Sequence, residues 1–334
     1  MRGSCISGTE GFQYIRTLFG RDCCMKNYTS IIVIFFLACL LASVNGMSQG
    51  LDSVQQAAPM VIEEGGTGPY KAIAMGDDTL PLFTIYRPEN LKDFGGKRKL
   101  PIVLWANGGC ADTSVVFKNF LNEIASHGFI VFAVGPYPSS LHVDLSVALR
   151  LNPSNPTDLR NALDWAFAEN SRETGKYFGK LDIEKVAVMG QSCGGLQALD
   201  LSPDPRITTT VICNSGALIS PPPPGITVPE VSKDILQQLH GPILYVIGGT
   251  SDGAYPNAMD DFSRIEKVPA VMLNMDVGHG GTYQERHGGA FSIPVIAWLK
   301  WQLNGDPAAA LMFKGKDCGL CKDPKWKIET ENFK

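Results

Sequence analysis

The sequence predicts an α/β fold, in which helices cover both faces of a mostly parallel, twisted sheet. Short apolar runs alternate with helix-length segments along most of the chain, which is typical of strands joined by crossover helices. Several of these runs are apolar throughout, as expected for strands that are buried on both faces. With 334 residues, 44% of them hydrophobic, the chain is long enough to bury a large core.

The expected elements follow one another in a regular order. Strands are predicted at 70–75, 82–87, 102–105, 130–134, 186–189, 210–213, 243–247 and 271–275. Helices are predicted near 114–126, 157–170, 193–201, 232–239, 257–265 and 291–303. Only about 20 residues separate the strand at 210–213 from the next helix, so no large cap domain is expected. A longer insert at 135–156, rich in Pro, Ser and Asn, is expected to form one wall of an open cleft.

A nucleophile motif lies in the sequence Gly190–Gln191–Ser192–Cys193–Gly194. Four apolar residues precede it and helix-forming residues follow it, so a serine stands at a sharp turn between a buried strand and a helix. Side chains at the two glycine positions would collide with the neighbouring strand and helix. The turn is therefore expected to present Ser192 at a helix N-terminus, where free N–H groups favour negative charge.

A serine hydroxyl is a weak nucleophile at neutral pH, so the motif predicts a histidine base and a carboxylate that orients it. In this strand–turn–helix architecture the order along the chain is Ser, acid, His. Asp252 follows the strand at 243–247, and His279 follows the strand at 271–275. Because open α/β sheets carry their active sites at the carboxyl ends of strands, Ser192, Asp252 and His279 are expected to converge.

Other residues compete for the roles of base and acid. The alternative bases are His127, His142, His240 and His287, and the alternative acids are Asp260, Asp261 and Asp276. His287 is the main alternative base, because the other three stand at expected helix ends or precede the serine. The alternative acids fall in the next expected helix or lie too near the base in sequence to reach round it.

An oxyanion hole needs two backbone N–H groups that point at the developing negative oxygen. One is expected from Cys193, directly after the predicted nucleophile. The other is expected from the turn Asn107–Gly108–Gly109–Cys110 after the strand at 102–105, with Asn107 and Gly109 in contact with the substrate. An ordinary strand-to-helix loop is the alternative interpretation of this turn.

These motifs together resemble α/β-hydrolases of the dienelactone hydrolase, chlorophyllase and bacterial polyester hydrolase kind. The likeness rests on the glycine turn, on Ala125–Ser126–His127–Gly128 and on the serine motif. It covers residues 70–333 and includes Trp298–Leu299–Lys300–Trp301 at the end of the last expected helix. It implies an α/β-hydrolase fold and a triad of Ser192, Asp252 and His279. The resemblance also implies that the N–H of Cys110 is the second oxyanion donor, because the spacing from Gly109 to Gly128 fits that of these hydrolases. Cysteines occupy both donor positions, where the polyester hydrolases carry an aromatic residue and a methionine.

The N-terminus predicts export. The apolar run at 31–44 is too short for a comfortable membrane span, Lys26 precedes it, and small residues at its end suit signal cleavage after Gly46. An uncleaved anchor is the alternative, and a start at Met25 would make 1–24 an upstream extension. The mature chain would comprise a leader at 47–69, a catalytic domain at 70–303 and a tail at 304–334, in an extracellular location.

In an exported protein the cysteines are expected to form disulfides, because such bonds persist outside the cell. The mature chain retains Cys110, Cys193, Cys213, Cys318 and Cys321. If both oxyanion donors converge on one oxygen, their α-carbons lie close enough for a Cys110–Cys193 disulfide; two unbonded thiols are the alternative. A local Cys318–Cys321 bridge is expected in the tail rather than a zinc or redox site, and Cys213 is expected to be free.

The sequence therefore predicts a secreted serine hydrolase that cleaves carboxylic esters through an acyl-enzyme. The proposed chemistry implies no cofactor or metal. No nucleic acid partner is expected, since the net charge of −4 offers no basic face. A monomer without stable membrane insertion is expected, and its substrate is a small or polymeric ester. A peptidase or another acyl hydrolase with the same triad is one alternative. A catalytically inactive binding protein on the same fold is an alternative of another class.

Overall fold

The computed structural model describes residues 58–138, 154–155, 157–222 and 227–333. The chain divides into two compact units, Met1–Gln55 and Gln56–Lys334, and every described residue belongs to the second. The predicted signal peptide, His142 and most of the 135–156 insert lie outside the described residues. Within the described ranges, no helix is long and apolar enough to cross a membrane.

The described residues form a nine-stranded mixed sheet. Its strands are β1 (Ala72–Met75), β2 (Phe83–Pro88), β3 (Leu100–Ala106), β4 (Ile130–Val134), β5 (Leu181–Gln191), β6 (Thr209–Cys213), β7 (Ile243–Ile247), β8 (Ala270–Asn274) and β9 (Lys327–Glu331). They lie in the order β1-β2-β4-β3-β5-β6-β7-β8-β9. Strands β3 to β8 are mutually parallel, whereas β1, β2 and β9 join through antiparallel pairs. The predicted α/β class with a mostly parallel sheet is confirmed.

Six α-helices accompany the sheet in the described part of the chain. They are α1 (Lys118–Ser126), α2 (Asp158–Ser171), α3 (Cys193–Leu201), α4 (Tyr255–Arg264), α5 (Gly289–Asn304) and α6 (Pro307–Ala310). The helix predicted at 232–239 is instead a 3₁₀ helix at Lys233–Gln238, a conformation common in pieces too short to gain much from α-helical propagation. The short helix α6 was not predicted.

Alternate residues along the central strands point to opposite cores. In β3, Ile102 and Leu104 pack against one cluster that includes residues of α2, α3 and α4. Val103 and Trp105 pack against another cluster that includes residues of α1 and α5. Because successive side chains of a strand leave opposite faces, a strand covered on both sides must be apolar throughout. The prediction of helices on both faces is confirmed.

The C-terminal segment is more ordered than its polar composition suggests. Strand β9 pairs antiparallel with β8, and the adjacent Trp326 is buried with its ring 5.6 Å from that of Phe291. The predicted tail at 304–334 therefore extends the sheet. Its sequence does not predict a strand, because β9 is exposed on almost every residue. Backbone pairing with β8 and the packing of Ile328 against one core hold it at the edge of the sheet.

Candidate active site

The sharp turn between β5 and α3 places Ser192 at the carboxyl edge of the sheet. Ser192 has a φ of 53°, a conformation that non-glycine residues rarely adopt and that often occurs at functional sites. A Cβ atom at Gly190 would collide with the carbonyl of Gly194, and one at Gly194 would collide with the carbonyl of Ala106 in β3. Glycine at both positions therefore lets the strand, the turn and the helix approach closely.

The three residues predicted to form a triad lie in one hydrogen-bonded chain. The Nε2 atom of His279 lies 2.9 Å from the Oγ of Ser192, and its Nδ1 lies 2.6 Å from Oδ1 of Asp252. With a proton on Nδ1, the imidazole donates to the carboxylate and leaves Nε2 free to accept the serine proton. Asp252 is 1% exposed, whereas the side chain of His279 is 49% exposed. The carboxylate of Asp252 is thus buried, whereas the imidazole of His279 is half open to solvent.

Loops after neighbouring strands bring these side chains together. Asp252 lies in the turn that follows β7, and His279 lies in the loop that follows β8. These two loops approach so closely that a Cβ atom at Gly248 would collide with the backbone of Gly278. Since β5, β7 and β8 are parallel, their carboxyl ends share one edge, as the strand order predicts.

The Asp252 carboxylate accepts four hydrogen bonds. Oδ1 accepts from His279 Nδ1 and from the N–H of Ala254 at 2.9 Å. Oδ2 accepts from Asn214 Nδ2 at 2.7 Å and from the N–H of Gly248 at 3.1 Å. Burial alone would raise the pKa of the Asp252 carboxyl, but these donors outweigh it and hold the pKa below its ordinary value of 3.8. The acid is therefore ionised at neutral pH.

The alternative bases and acids are engaged elsewhere. The backbone N–H of His287 donates to Glu63 at 2.6 Å, and its Nδ1 lies 3.5 Å from Glu123. Each of the remaining alternative residues that the structure describes has a hydrogen-bond partner outside the site. The pairs are His127 with Glu123, His240 with the Ile207 carbonyl, Asp260 with Arg264, Asp261 with Lys233 and Asp276 with Ser251. None of these described rivals has a contact with Ser192.

The turn predicted to complete an oxyanion hole lies beside the serine turn. Gly108–Cys110 forms a 3₁₀ turn in which Cys110 has a φ of 49°. Cys110 is at disulfide distance from Cys193, the first residue of α3, with 5.1 Å between their α-carbons. Cys318 and Cys321 form the second such pair, and Cys213 is free and buried. Both predicted pairs are therefore at disulfide distance.

Asn107 and Gly109 were both expected to contact the substrate, but they differ in position. Gly109 lines the cavity beside Ser192. Asn107 is fully buried, and its side chain donates to the carbonyls of Ala111 and Val134 and accepts from Trp105 Nε1. All the polar atoms of its side chain are occupied, and Asn107 lines neither of the two cavities beside Ser192, so the structure gives no support to the expected substrate contact. Asn107 instead shapes the turn.

Two cavities flank Ser192 and His279. The first measures about 260 Å³ and is bordered by the turn at Gly108, by Val116 and Phe117, and by Tyr283. The second measures about 440 Å³ and lies towards the segment after β6, where Leu218 and Pro221 line it. In the described part of the protein, no Lys, Arg, Asp or Glu side chain lines either cavity.

Three residues near the site were not predicted from the sequence. Gln191 donates from its side chain to the His279 carbonyl at 3.1 Å and therefore ties the serine turn to the histidine loop. Asn214 contacts Asp252, and Tyr283 donates to Asn214. The position of Asn214 directly after β6 could have indicated it, because open α/β sheets carry their sites at the carboxyl ends of strands. Nothing in the sequence indicates Tyr283.

Among the described residues, no group of three or more His, Cys, Asp and Glu side chains is arranged to hold a metal ion. No known protein family matches the sequence, and no curated protein matches it either. The hydrogen-bonded chain from Ser192 to Asp252 is therefore the feature from which a function has to be inferred.

Proposed function

We propose that this protein is a serine hydrolase of the α/β-hydrolase fold, without a large cap domain, that cleaves carboxylic esters. One observation carries the proposal: Ser192, His279 and the buried carboxylate of Asp252 form a continuous hydrogen-bonded chain at the carboxyl edge of the sheet. The strained backbone of Ser192 supports the assignment, as do the two cavities beside it, whose described linings contain no Lys, Arg, Asp or Glu.

In the proposed reaction, Oγ of Ser192 attacks the ester carbonyl carbon while Nε2 of His279 takes the serine proton. The carbonyl oxygen becomes an oxyanion, to which the N–H groups of Cys110 and Cys193 donate. Asp252 stabilises the imidazolium, which then gives its proton to the leaving alcohol as the C–O bond breaks. Water, deprotonated by His279, attacks the acyl-enzyme and releases the acid, and the proton returns to Ser192.

Two cysteine pairs at disulfide distance support a secreted location, because such bonds persist in oxidising compartments. The proposed enzyme therefore acts outside the cell, and the Cys110–Cys193 bond keeps the oxyanion loop beside the serine turn.

Labelling with a fluorophosphonate tests the proposal directly. The probe phosphonylates an activated serine, so we expect a single adduct, located by peptide mapping at Ser192, together with hydrolysis of p-nitrophenyl esters. Absence of both labelling and hydrolysis in the folded protein would refute the assignment.

The disulfide between the oxyanion loop and the serine turn should matter for turnover. We expect the variant Cys110→Ser/Cys193→Ser to lose about 10- to 100-fold in kcat, with KM changed less than about threefold, because donors that drift stabilise the transition state less. The matched control is Cys318→Ser/Cys321→Ser, which removes the other bond. Neither cysteine lines the two cavities beside Ser192, so this variant should retain kcat. Equal kcat for both double variants would contradict the prediction.

The uncharged cavities predict a preference for neutral acyl groups. We expect kcat/KM for p-nitrophenyl butyrate to exceed that for p-nitrophenyl hemisuccinate by about tenfold or more, since the second substrate must bury an unpaired carboxylate. The two esters have acyl chains of similar length and the same leaving group, so the ratio isolates the charge. Comparable values would show that a cation pairs with the carboxylate.

A further inference from the structure

Asn214 occupies a conspicuous position in the sheet. It follows β6 directly, and β6 lies between the strand that leads to Ser192 and the strand that leads to Asp252. Its side chain is completely buried, and its backbone N–H donates to the Val246 carbonyl at 2.8 Å. Its φ of 43° is unfavourable for most residues and tolerated best by glycine and asparagine. Such strain at a buried position often accompanies a functional role.

The surroundings determine which way the Asn214 amide points. One side lies 2.7 Å from Oδ2 of Asp252 and 3.3 Å from the carbonyl of Gly278. Both partners only accept hydrogen bonds, so this side must be the NH₂ group. Asn214 therefore donates to the acid and also to the residue that immediately precedes His279.

The opposite side of the amide contacts Tyr283. Since the NH₂ group faces Asp252, the oxygen Oδ1 faces the phenol, and the Tyr283 hydroxyl must donate to it. Tyr283 is 1% exposed, and its ring packs edge-on against Phe117, Phe120 and Phe291. Tyr283 is thus held in place by packing and can keep the amide from rotating.

We propose that Asn214 is a positioning residue for the acid of the triad, and that Tyr283 holds Asn214 in its donating orientation. By holding Oδ2, Asn214 keeps the other carboxylate oxygen, Oδ1, directed at His279 Nδ1. The inference rests on the proposed hydrolase function, because it assigns Asp252 the role of the acid.

Replacement of the donor tests the proposal. Asn214→Ala removes a hydrogen bond to a charged group, so we expect kcat to fall about 10- to 100-fold while KM changes less than about threefold. Tyr283→Phe should lower kcat about three- to tenfold, since it removes only the group that orients the amide. If Asn214→Ala does not fold, Tyr283→Phe carries the test by itself.

Two matched variants control for the loss of a buried polar group. Asn122→Ala removes a fully buried asparagine that donates to the Ile62 carbonyl, and Tyr86→Phe removes a buried hydroxyl that contacts Ser114. Neither contacts the triad, so both should keep kcat within about twofold of wild type even if the midpoint of thermal unfolding falls.

The variant Asn214→Asp gives a pH signature that a purely structural role would not produce. It replaces the donor with a carboxyl group of nearly the same shape beside Asp252, and two adjacent carboxylates raise the pKa of one of them. At high pH both are charged and repel. As the pH falls they share a proton, and the introduced carboxyl can donate again. We expect its activity relative to wild type to rise as the pH falls, whereas the relative activity of Asn214→Ala stays flat.

A measurement on the free protein separates this inference from the proposed function. The Nδ1 proton of His279 should give a far-downfield proton NMR signal, which we expect to shift or broaden in Asn214→Ala but not in Asn122→Ala. If wild type is labelled and active while Asn214→Ala keeps its kcat and its signal, the positioning role is refuted. If wild type is neither labelled nor active but the signal still changes, the hydrolase assignment fails and the positioning of Asp252 stands.

Discussion

Ser192→Ala should reduce ester hydrolysis by about 10⁴-fold or more and leave the fold intact. The side chain supplies the attacking oxygen, and members of a triad act as a unit, so loss of the nucleophile removes nearly the whole contribution. Ser192 is partly exposed, and its Oγ is hydrogen-bonded to His279, so alanine fits the same turn. The measurements are kcat/KM for p-nitrophenyl esters and the midpoint of thermal unfolding.

Ser263→Ala is a suitable control, because Ser263 is an exposed serine on α4 whose hydroxyl bonds only to the Asp260 carbonyl. It should retain full activity and the same unfolding midpoint within error. Activity of Ser192→Ala within tenfold of wild type would exclude Ser192 as the nucleophile.

His279→Ala should be comparably damaging, whereas His287→Ala should retain activity. Both histidines follow β8 and stand eight residues apart, but only His279 lies within hydrogen-bond distance of both Ser192 and Asp252. His287 lies between Glu63 and Glu123, so His287→Ala should lower the midpoint of thermal unfolding and leave kcat nearly unchanged. Steady-state kinetics on the two variants, with thermal unfolding of each, measure the difference.

Added imidazole sharpens this comparison. A diffusible base can enter the space left in His279→Ala, because that side chain is half exposed, and should restore part of the activity. Imidazole should have no such effect on His287→Ala. If His287→Ala were the inactive variant instead, the base would have been assigned to the wrong histidine.

The predicted strands from 70–75 to 271–275 are all present, and the reason is local. A strand buried on both faces must be apolar at nearly every position, and this requirement is visible in the sequence alone. The serine turn is equally visible, because Gly190 and Gly194 are required by close backbone approaches that exclude any Cβ atom. The cysteine pairing could be inferred from the expected meeting of two loops.

Other features depend on contacts between distant segments. Strand β9 is mostly polar and exposed, so its backbone pairing with β8 and the packing of a single residue, Ile328, define it. Asn107 has the residue type and position of a substrate contact, yet its three buried hydrogen bonds give it a structural role.

The sequence by itself determined the α/β alternation and the serine turn and predicted a candidate triad with His287 as the alternative base, since apolar runs, obligatory glycines and strand ends are local properties of the chain. Only the tertiary structure distinguished His279 from His287 by their distances to Ser192 and Asp252. It also buries the side chain of Asn107 and brings Asn214 against Asp252 and Tyr283 against Asn214. The physical reason is that a buried hydrogen bond between residues far apart in sequence requires only a donor and an acceptor that the fold brings together. No periodicity or spacing along the chain records such a pair before the sheet has formed.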